Sequence, residues 1–271
     1  MRTIVHLSDL HFGRTDPALL APLATLVRKL EPHLVVISGD LTQRARSNQF
    51  QEARRFLDEL PSPQIVVPGN HDVPLYNLFS RFFTPLTKYR RYITDDLDPV
   101  FIDEEIAVVG INTARSLTIK DGRINKEQIA NARKVLCPAA HHLVKIIVTH
   151  HPFDLPDNQD NDDLVGRAPL AMAAFAECGA DMLLAGHLHT SHTESTAERY
   201  KIGDYSAIVV QAGTATSTRG RGESNSFNVL RVDNGVIAIE RYSWIPEKNE
   251  FEHSGSVSFE RLANTWTRVK G

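Results

Sequence analysis

No stretch of this chain approaches the ~18 consecutive apolar residues that a membrane-crossing helix requires, so no span is expected. Met1 leads within two residues into a strand-like run at 3–7 closed by Asp9, which is not the pattern of a secretory leader. Cysteine is scarce. Cys137 and Cys178 share no paired spacing and read as small core residues, one near a helix end and one inside a helix, as suits a reducing cytosol. The charge is close to balanced: 30 basic against 33 acidic residues leave a net charge of −3. That gives no global argument for binding nucleic acid or an anionic membrane. Internal repeats, low-complexity tracts and long linkers are missing too. A cytoplasmic protein with a single domain over 1–271 is expected, with a core at about 3–232 and C-terminal strands and a tail over 233–271.

What is present is an alternation of strand and helix patterns through the first 190 residues or so. Asp16-Pro17 makes an N-cap and first turn for a helix through Leu19, Leu23, Leu26 and Leu30. A second helix, 47–60, is ended by Pro61 and Pro63, and others are predicted at 125–136 and 168–178. Residues 73–100 are rich in aromatics, including Tyr76, Phe79, Phe82, Phe83, Tyr89 and Tyr92. They read either as a helical insert over a site or as satellite packing. Strands are predicted at 106–111, 205–210, 226–232 and 236–242, the last two joined by a hairpin at Asn234-Gly235. The class is α/β with a mixed second sheet.

Five short signatures each follow an apolar run that reads as a buried strand. Asp9-Leu10-His11 follows 4–7, Gly39-Asp40 follows 34–37, and Gly69-Asn70-His71-Asp72 follows 65–67. His150-His151 closes the run 146–149, and Gly186-His187-Leu188-His189 follows 182–185. Functional groups of open α/β sheets collect at the carboxyl ends of strands. The five ends deliver carboxylates, an amide and several imidazoles to one rim, which is what a pair of divalent cations requires. A lone Asp-x-His means little. The whole ordered series, each member after a strand, is specific.

On these residues the chain resembles the calcineurin-like metallophosphoesterase superfamily over roughly residues 3–232. The resemblance implies a four-layer αββα sandwich, two mixed sheets flanked by helices. It implies one metal held by Asp9, His11, Asp40 and His189, and a second held by Asp40, Asn70, His150 and His187, with Asp40 shared. Metal-bound hydroxide would then attack phosphorus. His71 would act on the leaving group, Asp72 would orient it or its loop, and His150 rather than His151 would be the ligand. Mixed N and O ligation suits Mn²⁺ and iron, with Zn²⁺ or Co²⁺ also compatible.

Within the superfamily, Gly39-Asp40-Leu41-Thr42-Gln43-Arg44 departs from the Gly-Asp-x-x-Asp-Arg-Gly element of protein phosphatases. The compact motifs are most similar to bacterial class III cyclic nucleotide phosphodiesterases. A small phosphodiester, foremost a cyclic nucleotide, is the implied substrate. Glycerophosphodiesters, lipid-derived diesters or a nuclease activity on the same metals are the alternatives. The tract 211–222, rich in Gly, Thr and Arg, either lies beside the metals with Arg219 or Arg221 gripping phosphate or is a solvated turn. Asn112 and Arg115 are further candidates for substrate contact. Homodimerisation through 73–100 or the C-terminal sheet is left open.

Overall fold

The structure, a computed structural model, describes residues 1–75, 78–115, 121–156, 163–197, 199–218, 222–233 and 235–269, the Leu78 side chain excepted. Tyr76, Asn234 of the expected hairpin turn, and Asp157, Asp160 and Asp162 of an acid-rich stretch lie outside the described residues.

One sheet holds seven strands. In it β1 (Arg2–Leu7) is flanked in parallel by β2 (Leu34–Ile37) and then β3 (Gln64–Val66). On its other side β1 pairs antiparallel with β10 (Ser226–Val232), followed by β11 (Val236–Ile245), β12 (Glu250–Leu262) and β13 (Thr265–Arg268). The second sheet runs β4 (Val100–Ile102), β5 (Ile106–Gly110), β6 (Val144–Val148), β7 (Met182–Ala185), β9 (Ile208–Gln211) and β8 (His192–Ser195). Its four middle strands are parallel.

Strand alternation explains the layering. In β2, Leu34 and Val36 face β5–β7 of the other sheet, while Val35 and Ile37 face helices. In β6, Ile146 and Val148 join that central layer and Ile147 faces outward. The first sheet is covered by α1 (Pro17–Lys29) and α2 (Ser47–Glu59), the second by α5 (Lys126–Leu136) and α6 (Ala168–Glu177). Helix, sheet, sheet, helix is the four-layer sandwich expected. Each fully buried Val, Leu or Ile of the central layer contributes about 1.5–3 kcal/mol, so a charge at Val36 would break it.

The helix starts follow local chemistry. Asp16 accepts from Ala18 N at 3.0 Å, and Pro17 opens α1. Asn125 and Gln128 cap α5 reciprocally: each side-chain oxygen accepts from the other's backbone N–H, at 2.8 and 3.1 Å. The aromatic insert forms two short helices, α3 (Leu78–Phe83) and α4 (Thr87–Tyr92). Of the two readings, α4 follows the satellite one. Its Tyr89 is buried beside Phe50 of α2 and donates to Val66 O at 3.0 Å.

One expectation is overturned. Cys137 and Cys178 are not separate core thiols but form a disulfide. They cap the C-terminal ends of α5 and α6, which lie side by side on the same sheet. Sequence distance hid a contact made by layer packing, and the cysteines no longer argue for a reducing compartment. The C-terminal strands are also longer than expected, and the strand expected at 205–210 begins at Ile208.

Candidate metal centre

Because β1, β2 and β3 run parallel in one sheet and β6 and β7 in the other, their carboxyl ends meet at one rim. The five signatures all sit there, and their side chains form two adjoining clusters.

In the first, ligand atoms of Asp9, His11, Asp40 and His189 all lie within 4.8 Å of one another, and all four residues are buried. His189 Nε2 is 3.3 Å from Asp9 Oδ1 and 3.2 Å from His11 Nε2, which is 3.6 Å from Asp40 Oδ2. In the second, His150 Nε2 is 3.5 Å from Asp40 Oδ1, 3.1 Å from Asn70 Oδ1 and 3.3 Å from His187 Nδ1. His187 Nδ1 is also 3.2 Å from Asn70 Oδ1. Asp40 therefore turns one oxygen to each cluster. His71 N donates to its Oδ1 at 2.9 Å.

The donor set fits cations. Imidazole nitrogens facing each other at 3.2–3.3 Å around two carboxylates concentrate lone pairs at one spot. Asp9 Oδ1 is buried without a hydrogen-bond partner among the described residues, which is costly unless something positive sits beside it. Burial pushes the Asp9 and Asp40 carboxyls up, yet the imidazoles around them, His189 foremost at the first and His150 at the second, together outweigh it and hold both below the usual carboxylate range. Burial, then the neighbouring His150, pushes His187 down to about 3, so its ring is neutral and its nitrogen lone pair is available.

The backbone is bent to present these groups. Ten described non-glycine residues have positive φ, and Asp9, His11, Asp40, His187 and His189 are half of them, at 50° to 74°. Such strain persists only when the surroundings over-determine it. Here Ser8 Oγ and His187 N both donate to Asp9 Oδ2, at 2.7 and 3.0 Å. Gly186 is required because a Cβ there would lie 1.8 Å from Ser8 Oγ. Gly39 is required twice over, with φ of +98° and the His150 ring against it.

His71 and Asp72 take different positions. Asp72 does not hold the His71 ring. Its carboxylate accepts from Leu41 N, Thr42 N, Thr42 Oγ1 and Gly69 N at 2.9–3.1 Å, tying the Asp40 loop to the Asn70 turn. The His71 ring is held by Gln43, to whose carbonyl its Nδ1–H donates at 2.9 Å. Sequence reasoning missed Gln43 as a partner, although it stands where the protein-phosphatase element has its second Asp.

His150 Nδ1–H donates to Ser38 O at 2.8 Å, which aims Nε2 at Asp40 and Asn70. His151 does not point away. Its ring lies 4.6 Å from that of His187, within the second cluster, with Nδ1 2.8 Å from Thr113 Oγ1. The tract after β9 lies directly behind the first ligand loop. Thr214 Oγ1 donates to Asp9 O at 2.7 Å and Thr216 Oγ1 to Leu10 O at 2.9 Å. Arg219 and Arg221 lie outside the described residues. Asn112 Oδ1 accepts from Ala114 N at 2.9 Å, and Arg115 donates to Ala114 O and Gln128 Oε1, so both are engaged within their own loop and the start of α5.

A profile of the calcineurin-like phosphoesterase family matches residues 2–191. The chain is similar to the glycerophosphodiester phosphodiesterase GpdQ of Enterobacter lignolyticus, 32% identical over 124 residues, which are 38% of this chain and 44% of that protein. The match thus spans less than half of that relative's length. In fold, it is similar to the purple acid phosphatase PPD1 of yellow lupin, with TM-score 0.69, 13% identity, and coverage of 97% of this chain and 54% of that one. A dimetal phosphatase from Danio rerio gives TM-score 0.63 at 15% identity, covering 93% of this chain and 98% of that one.

Proposed function

The chain belongs to the calcineurin-like phosphoesterase family, and on that premise we propose that it is a two-metal phosphodiesterase acting on a small phosphodiester. The observation that carries the reading is Asp40, whose two oxygens face two separate clusters of imidazole, carboxylate and amide donors. Asp9, His11, Asp40 and His189 would hold one cation, and Asp40, Asn70, His150 and His187 the other. Manganese or iron suits this mixed donor set. When bound, the pair supplies an activated water and neutralises charge at phosphorus.

The chain's own groups supply the rest. With Nδ1–H committed to Gln43 O, the His71 ring offers Nε2 to the substrate. As imidazolium it donates that proton to the departing alkoxide, a poor leaving group otherwise. Asp72 fixes the distance between the Asp40 and Asn70 loops, and so the register of the shared carboxylate with the second cluster.

Two substrate classes have support. The compact motifs favour cyclic nucleotides, and the similarity to a glycerophosphodiester phosphodiesterase favours glycerophosphodiesters. The test is hydrolysis of bis-p-nitrophenyl phosphate, 3′,5′-cAMP, 2′,3′-cAMP and glycerophosphocholine in Mn²⁺ and in EDTA. Metal-dependent release of nitrophenol is expected, together with turnover of one natural class, which assigns the substrate. No turnover with any divalent metal would overturn the phosphodiesterase reading.

A further inference from the structure

The segment between the His71 turn and residue 92 has an inverted polarity. In α3, Arg81 is 4% exposed, while Phe79, Phe82 and Phe83 are 70%, 50% and 73% exposed. Arg81 Nη1 donates inward to Pro74 O at 3.2 Å. The rings of Phe79 and Phe83 lie 5.0 Å apart, so the outward face carries a contiguous aromatic patch. A helix in water normally turns its charge out and its rings in. A patch of exposed rings on a short helix marks a surface meant to be covered.

We propose that α3 is an interfacial anchor that seats this rim of the protein on an anionic phospholipid bilayer. Charge selects the occupant. Residues 73–92 contain no carboxylate, and of their four cations Arg81 turns inward and Lys88 donates to Ala45 O, which leaves Arg90 and Arg91 facing out. Arg90 and Arg91 are exposed at the end of α4, the helix that follows α3 in the chain. Exposed phenylalanines on one helix and exposed arginines on the next are the composition that sinks rings to the acyl boundary while the cations meet lipid phosphates. A second copy of the chain fits worse. An isologous pair sets the same patch against itself, so the exposed Arg90 and Arg91 of one copy would meet those of the other with no carboxylate of 73–92 between.

The anchor does not depend on the reaction assigned above. A corollary does rest on the phosphodiesterase reading: Pro74 is three residues from His71, so the anchor would bring the metal rim to the bilayer, where lipid-attached diesters lie.

Co-sedimentation with phosphatidylcholine vesicles, and with vesicles one third phosphatidylglycerol, tests the proposal. The full chain should pellet with the anionic vesicles roughly tenfold more than with neutral ones and be released by high salt. The Phe79→Ser/Phe82→Ser/Phe83→Ser variant should remain in the supernatant while hydrolysing the soluble aryl diester like wild type. Arg90→Gln/Arg91→Gln should lose the salt-sensitive part of binding. Phe79→Trp, which keeps the bulk, should show a blue-shifted emission on adding anionic vesicles, whatever the fate of the triple variant. Wild type staying in the supernatant, equal pelleting of the triple variant, or no shift of the tryptophan would overturn the anchor. A dimer in sedimentation velocity that the triple variant dissolves, without vesicle binding, would assign the patch to a second copy instead. Loss of diester hydrolysis with vesicle binding intact would overturn the catalytic reading and leave the anchor standing.

Discussion

The hydroxyl of Thr214 donates a 2.7 Å hydrogen bond to the main-chain carbonyl of Asp9, across 205 residues of sequence. It props from behind a loop whose side chains face the candidate cations. Removing it leaves a buried carbonyl unpaired, at a cost of about 1–3 kcal/mol. Thr214→Val should therefore weaken the first cation site and lower turnover at limiting metal, with recovery at saturating metal. Thr214→Ser should restore wild-type affinity. A metal titration followed by activity checks both, and unchanged affinity in the valine variant would contradict the role.

Asp40 and Asp9 should differ in metal stoichiometry. Asp40 faces both clusters, so Asp40→Ala should lose both cations and turnover. Asp9 faces only the first, so Asp9→Ala should keep about one equivalent in the site opposite, since a vacated ligand weakens chiefly its own ion. Elemental analysis of the purified, metal-loaded variants measures this directly. One retained equivalent in Asp40→Ala would remove it as the shared ligand.

His71 should matter in proportion to the leaving group. His71→Ala should slow an alkyl diester by about 10²–10⁴-fold, the usual reach of general acid catalysis. A p-nitrophenyl diester, whose phenolate leaves unaided, should lose much less. Equal losses on the two substrates would mean that His71 acts on the ground state or the metals rather than on the departing oxygen.

The left-handed ligand residues should make the metal-free protein easy to stabilise. Asp40 has φ of +51°, a conformation that costs an alanine about 1 kcal/mol or more and a glycine little. In EDTA, Asp40→Gly should therefore unfold at a higher urea midpoint than Asp40→Ala. The opposite order would show that the backbone there is not strained.

The Cys137–Cys178 bond links the ends of two helices. Closing such a loop contributes about 2–4 kcal/mol, mainly through the unfolded chain. Cys137→Ser/Cys178→Ser should lower the unfolding midpoint and leave diester hydrolysis unchanged, because the pair lies at the helix ends rather than on the metal rim. An unchanged midpoint would show that the bond contributes nothing.

Much of the site was legible because metal donors need few residue types, and strand ends concentrate them. Asp9, Asp40, Asn70, His150 and His187 each follow an apolar run, and parallel pairing brings those ends together without further information. The alternation of apolar strands and helices made the α/β class legible, whereas the four-layer sandwich came from the resemblance those motifs carry. What escaped depends on packing between distant elements. The bond between the cysteines follows from two helix ends meeting on one sheet, and no spacing rule encodes it. Gln43 meets His71 through both its main-chain carbonyl and its side-chain amide, a contact between two loops 28 residues apart that no local pattern encodes. The place of His151 beside His187 is set by ring packing. In α3 the aromatic pattern was visible, but which side faced out was not.

The place of β1 in the first sheet has a consequence for synthesis. Its parallel partner, β2, follows within thirty residues, but its antiparallel partner, β10, begins only at Ser226. While the ribosome makes the residues between, β1 keeps one edge of unpaired amides and carbonyls, the kind of edge that recruits stray strands. The rim shares this delay. Asp9 is translated early, yet His189 and the Thr214 prop arrive some 180 and 205 residues later. A nascent chain thus carries the first candidate metal ligand, without the pocket around it, through most of elongation, so any cation the rim holds should load only once the polypeptide is finished.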